Sequence, residues 1–185
     1  MLTKVFVYAT VLAAGVIGAA LPTPVTEGLV PMDLNAISNP LEVCAQRGID
    51  VLGPIPSDAV PIEGGFEFAD DSDASHWARA QVAVATSPDL KKREFANIGI
   101  GMFSSTGCTG RGAWFDNVQF TVQHATNVDL FSVGISYRPM ANGEHLDFSK
   151  LNNGDWCGTY LYSAKANTPI GCFASQAINC FNFHK

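Results

Sequence analysis

The stretch "NIGIGMFS", Asn97 to Ser104, sets Ile98, Ile100 and Met102 on one side of an extended chain. Alternation of period two marks a half-buried β-strand, because successive side chains leave opposite faces. Working outward, "WFDNVQFTVQ" (Trp114 to Gln123) puts Trp114, Val118, Phe120 and Val122 on one face. "LFSVGISY" (Leu130 to Tyr137) does the same with Phe131, Val133, Ile135 and Tyr137. "EHLDF" (Glu144 to Phe148), "CGTYLYS" (Cys157 to Ser163), "IGCFA" (Ile170 to Ala174) and "INCFNF" (Ile178 to Phe183) are further short strand candidates. "GCTGRG", "HATNVD", "MANGE", "NNGD" and "KANTP" supply the turns. About seven short strands separated by turn residues predict an all-β fold, a small antiparallel β-sandwich or barrel.

The chain ahead of this region reads differently. Residues 1 to 20 have the form of a signal peptide: Lys4 is basic, "VFVYATVLAAGVIGAA" is apolar, and Gly18 and Ala20 fit the cleavage positions. The apolar run, about 16 residues closed by Pro22 and Pro24, is short for a membrane span. Residues 21 to 69 space Pro and Gly too closely for a helix or a central strand. "FADDSDASHWARAQVAVATS" is acidic first, then a short helix or strand around Trp77 to Thr86, which periodicity does not separate.

Charge and cysteine divide the chain in the same place. Residues 21 to 93 hold 11 Asp/Glu against 5 Lys/Arg, and residues 94 to 185 hold 6 against 5. The whole chain carries a net charge of −6, which argues against nucleic acid as a partner, since phosphate binding needs a Lys/Arg excess. An apolar content of 47% argues against wholesale disorder. Cys44 stands alone in the first part, while Cys108, Cys157, Cys172 and Cys180 form an even set that predicts two disulfides. Three pairings are open. A hairpin turning near Lys165 favours Cys157 with Cys172, leaving Cys108 for Cys180. The alternative is one full-length domain of five cysteines with a free thiol or an intermolecular bridge.

"PDLKKREF", Pro88 to Phe95, lies at this division. Lys92-Arg93 before Glu94 resembles the dibasic sites cut by kexin-type proteases of the fungal secretory pathway. The expected organisation is a signal peptide (1–20), an acidic, Pro/Gly-rich pro-segment (21–93) and a mature β domain (94–185). The competing reading is a hairpin loop between "QVAVATS" and "FANIGIGMF". There is no Asn-x-Ser/Thr sequon, so N-glycosylation is not expected.

From Ala96 onward the chain resembles small secreted cysteine-containing proteins of filamentous ascomycete fungi, of the effector-candidate type. The resemblance is carried by "CTG" (Cys108 to Gly110), "VGISYRPMANGEHLDF" (Val133 to Phe148), "WC", "GCF" and "NCFNF". It implies a secreted, β-rich, disulfide-bonded fold. It implies no activity, and no residue role transfers with it.

Few residues suggest chemistry. In "EHLD", Glu144 and His145 are the candidate catalytic groups. On a strand His145 and Asp147 share a face, as a metal pair or an acid/base pair would, with His124 or Asp129 as a further ligand. The competing reading is solvated or paired strand-edge charge, and neither a metal nor another cofactor is expected. A small ribonuclease would need Glu144, His124, His145, His184, Arg111 and Arg138 in a spacing that is not seen. "DDSDAS" (Asp70 to Ser75) reads as an acidic loop, lacking the Gly and Glu of a calcium loop. Among the aromatics Trp114, Phe115, Tyr137, Trp156, Tyr160 and Tyr162, the candidate binding residues are Tyr160 and Tyr162, assigned to one face of a strand. The sequence therefore favours a secreted binding protein, effector-like or defence-like, whose partner is a host or microbial protein or a cell-wall glycan. A carbohydrate-binding module and a small secreted hydrolase are the alternatives.

Overall fold

A computed structural model describes residues 28–86, 98–116 and 118–185. Residues 1–20 and the Lys92-Arg93 pair lie outside these. The described chain is built on one antiparallel sheet of nine strands, where the sequence pattern suggests about seven, all of them after residue 94. Three of them come from the first part: β1 (Val30–Met32), β2 (Val60–Ile62) and β3 (Gly65–Phe68). The second part supplies β4 (Gly99–Ser105), β5 (Thr109–Phe115), β6 (Gln123–Ser136), β7 (His145–Asn152), β8 (Asp155–Ala164) and β9 (Gly171–His184). Their order is β2-β3-β5-β4-β6-β9-β7-β8, with β1 pairing the first half of β9. Residues on both sides of Arg93 thus share the sheet.

The Gly-Ile-Gly-Met alternation of β4 is explained by what lies on each face. Ile98, Ile100 and Met102 enter a buried cluster with Val133, Ile135 and Phe181. On the opposite face a Cβ at Gly101 would meet the Phe103 ring at 2.7 Å and Trp114 at 3.0 Å. That face is covered by helix α2 (Asp73–Thr86), whose Trp77, Ala78 and Val82 pack with Phe103 and Trp114 in a second cluster. The central strands are therefore buried on both sides.

Two departures from the sequence reading concern residues 21 to 69. Besides the three short strands, this segment forms a helix, α1 (Pro40–Arg47). Its signals are local: Asn39 caps it by accepting from Leu41 N–H, Pro40 sits in the first turn, and Gly48 ends it at φ 71°. Cys44, buried and free, faces α2, where its Sγ lies 3.4 Å from the His76 carbonyl. Burial pushes its thiol pKa up to about 11, with nearby Asp73 adding to the effect. The acidic run "DDSDAS" is a turn leading into α2, which begins at Asp73. Asp58 accepts from the backbone N–H of Asp73 at 2.8 Å and Ala74 at 3.1 Å, and Arg47 pairs with Asp71 and Asp73. Buried Arg79 ties α2 to the loop after β1 through the Leu34 and Ser38 carbonyls.

Other expectations change in detail. Trp114 and Phe115 end β5, so Val118, Phe120 and Val122 do not continue a strand, and the last two are exposed. "HATNVD" lies within β6, and "IGCFA" and "INCFNF" join as β9. Phe131 is exposed although Val133 and Ile135 are buried, because the β6–β9 register shifts between Leu130 and Ser132. "NNGD" is the β7–β8 turn, with Asn153 and Gly154 at φ 51° and 87°.

Both disulfides form among the four cysteines of the second part, but the pairing is Cys108–Cys172 and Cys157–Cys180. No β8–β9 hairpin turns near Lys165, because β7 lies between those strands. Cys172 instead opposes Gly134 of β6, beside the β4–β5 turn that carries Cys108. Among the described residues, no helix is long and apolar enough to cross a membrane.

Candidate functional site

Strands β7 and β9 run antiparallel with His145 opposite His184 and Asp147 opposite Asn182. This register brings together side chains 39 residues apart in sequence, the His184–His145 difference. The two imidazoles stack with centroids 4.8 Å apart. Asp147, two residues from His145, lies on the same face, as the strand period requires. Its Oδ2 is 3.3 Å from His184 Nε2 and 3.8 Å from His145 Nε2. Its Oδ1 accepts from Ser163 Oγ of β8, and Ser163 Oγ lies 2.9 Å from the Tyr160 hydroxyl. The result is a half-exposed polar cluster drawn from three strands.

His184, rather than His124 or Asp129, completes the His145–Asp147 pair. His124 is buried and stacked on Phe181, and Asp129 approaches Asn179 instead. Glu144 does not join His145. It is buried, receives both guanidinium arms of Arg138 at 2.7 and 2.9 Å, and accepts from Ala141 N–H. The Arg138 hydrogen bonds, with that from Ala141, hold its pKa below the ordinary value. Glu144 is thereby spent on fixing the loop ahead of β7. Ser163 gives its hydrogen to Asp147 and not to an imidazole, so the cluster lacks the nucleophile–base contact of an acyl-transfer relay.

The tyrosine pair also separates. Tyr160 is exposed, whereas Tyr162 is buried against Phe148 with its hydroxyl on Ser175. The β7–β8 register shifts between the Phe148–Tyr162 and Ser149–Tyr160 pairs, leaving Leu161 as an extra residue. A bulge of one residue inverts the alternation beyond it. Burial pushes the Tyr162 pKa up to about 12.

A second feature lies at the other end of β8. A cleft of about 340 Å³ opens between the β2–β3 hairpin, the start of β6 and the β7–β8 tip, lined by Glu63, Glu67, Gln123, Asn127, Trp156 and Cys157 among others. Trp156 is 39% exposed there, and the Cys157–Cys180 bridge anchors its strand to β9. The sequence reading includes Trp156 only as one aromatic among six.

Buried His124 carries a pH dependence. Burial lowers its pKa, opposed by Glu63, and its Nε2 has no hydrogen-bond partner. The unfolded chain takes up a proton near the ordinary histidine pKa, and the folded chain does so only at lower pH. Stability from this group is therefore complete above about pH 6.5 and falls as pH drops below it. The melting temperature should decrease from pH 7.5 to pH 5, and His124→Phe should flatten the decrease. An unchanged pH slope in that variant would refute the assignment.

No protein-family model, curated protein or solved structure matches the chain.

Proposed function

We propose that this protein is a secreted binding protein, of the effector-like or defence-like kind, that takes its ligand in the cleft at Trp156. The observation that carries the reading is the exposed indole set among Glu63, Glu67, Gln123 and Asn127. An aromatic face stacks on the apolar face of a sugar ring, while carboxylates and amides meet its hydroxyls. An extracellular glycan, such as a cell-wall polymer, is the ligand class this chemistry favours. The acidic pair Glu63 and Glu67 supports a second reading, a basic segment of a host or microbial protein. Secretion belongs to the same proposal, supported by the signal-peptide pattern and by two disulfides, which persist in oxidising compartments. So does cleavage after Arg93. A cut there would leave β1, β2, β3 and α2 held without a covalent bridge, since both disulfides lie within residues 108–180.

The test is a tryptophan-fluorescence titration with soluble chitin and β-glucan oligosaccharides, beside pull-down on the insoluble polymers. Binding that drops at least tenfold in Trp156→Ala is expected. Binding to a basic peptide library instead, equally sensitive to Trp156→Ala, would select the second reading. Binding of either class that is unchanged in Trp156→Ala would remove the cleft from the account.

A further inference from the structure

We propose that His145, Asp147 and His184 form a binding site for a divalent first-row transition ion of the zinc class. The site is independent of the Trp156 cleft. The three residues offer ligand atoms that all lie within 4.8 Å of one another. Ligands at about 2.0–2.2 Å from a tetrahedral zinc lie roughly 3.4 Å apart. The two His–Asp separations, 3.3 and 3.8 Å, bracket that value. The two rings, now stacked with 14° between their planes, must turn out of parallel for both nitrogens to face one ion.

Three further observations favour an ion over a plain polar patch. First, His145 Nε2 at 3.8 Å is too far from Asp147 to be hydrogen-bonded, so its nitrogen approaches the carboxylate without bonding to it. Second, Asp147 is oriented from behind. Ser163 holds Oδ1 and is itself met by the Tyr160 hydroxyl, leaving Oδ2 toward the two imidazoles. Outer partners of this kind fix a carboxylate for coordination. Third, the ligands stand on paired strands, β7 and β9, so their backbone spacing is set by the ladder and not by loop closure. Two imidazoles with one carboxylate suit zinc, copper or iron(II), and disfavour magnesium and calcium, which take oxygen ligands. All three side chains are partly exposed, which leaves the remaining coordination positions to water or to a partner's side chain.

The test uses the full secreted chain, stripped with EDTA and titrated with Zn²⁺ by calorimetry at pH 7.5. One equivalent should bind, the melting temperature should rise, and Mg²⁺ should do neither. NMR should show Zn²⁺ shifting the Cε1–H resonances of His145 and His184 while leaving those of His76 and His124 in place. That readout needs no variant. Asp147→Asn and His184→Ala should abolish the one-equivalent isotherm. Ser163→Ala, a positioning change, should weaken it about tenfold. The proposal is overturned if the wild-type chain shows no saturable Zn²⁺ uptake. It is equally overturned if His145 and His184 resonances stay in place while Zn²⁺ binds elsewhere.

Discussion

Trp77→Ala should destabilise the protein by about 3–5 kcal/mol, the range for removing a large buried aromatic. Trp77 is 1% exposed in the first half of α2. Its indole meets Trp114 of β5 edge-on with centroids 5.8 Å apart, and Trp114 in turn meets Tyr137. The neighbouring sheet surface is built around this ring: Gly99 and Gly101 are bare where the Trp114 and Phe103 rings lie against them. Chemical denaturation should show the midpoint falling with the slope kept. A loss under 1 kcal/mol would mean that α2 is dispensable to the sheet, and with it the first part of the chain.

Reduction is the second large effect. Cys108–Cys172 closes a separation of 64 residues and Cys157–Cys180 one of 23. The chain-entropy relation assigns about 4 kcal/mol to the first and about 3 kcal/mol to the second. Either loss is a large part of the stability of a small domain, about 5–15 kcal/mol. The two bridges also differ in what they tie. Cys108–Cys172 joins the β4–β5 turn to the start of β9, and Cys157–Cys180 fastens β8 to β9 where the β7–β9 ladder ends at Ser149. Cys108→Ser with Cys172→Ser should therefore lower the melting temperature more than the matching change at Cys157 and Cys180. It is the second pair whose loss should weaken the proposed ligand binding at Trp156, one residue from Cys157. Equal effects on both readouts would contradict this division. Non-reducing peptide mapping should return these two pairs and an unlinked Cys44.

The all-β class was legible because β4, β7, β8 and β9 alternate or carry turn residues at their ends. Ile98, Ile100 and Met102 lie on one face as the pattern predicts, and Asn153-Gly154 makes the expected turn. What escaped depended on register. Tyr160 and Tyr162 part company at a one-residue bulge, and no local signal announces an irregularity of that kind. His184 meets His145 only because β9 pairs β7 at that offset, a fact of strand order. The disulfide pairing is likewise a matter of strand order, since Cys172 stands in the half of β9 that pairs β1, whereas Cys180 stands where β9 meets β7. Helix α1 is written locally in the sequence. Its Asn39 cap, Pro40 and Gly48 are the punctuation of a helix, but Pro and Gly read by density alone suggest its opposite. Of the candidate site, His145 and Asp147 followed from strand period, whereas Trp156 gained meaning only from the cleft around it.

Residues on both sides of Arg93 build one sheet with a shared core. The decisive measurement is the native mass of a mixture of residues 21–93 and 94–185 produced as separate chains. A one-to-one complex that melts cooperatively is expected, with residues 94–185 alone aggregating or binding a hydrophobic dye through the uncovered Phe103–Trp114 face. A monomeric chain of residues 94–185 that melts cooperatively and ignores its partner would contradict it.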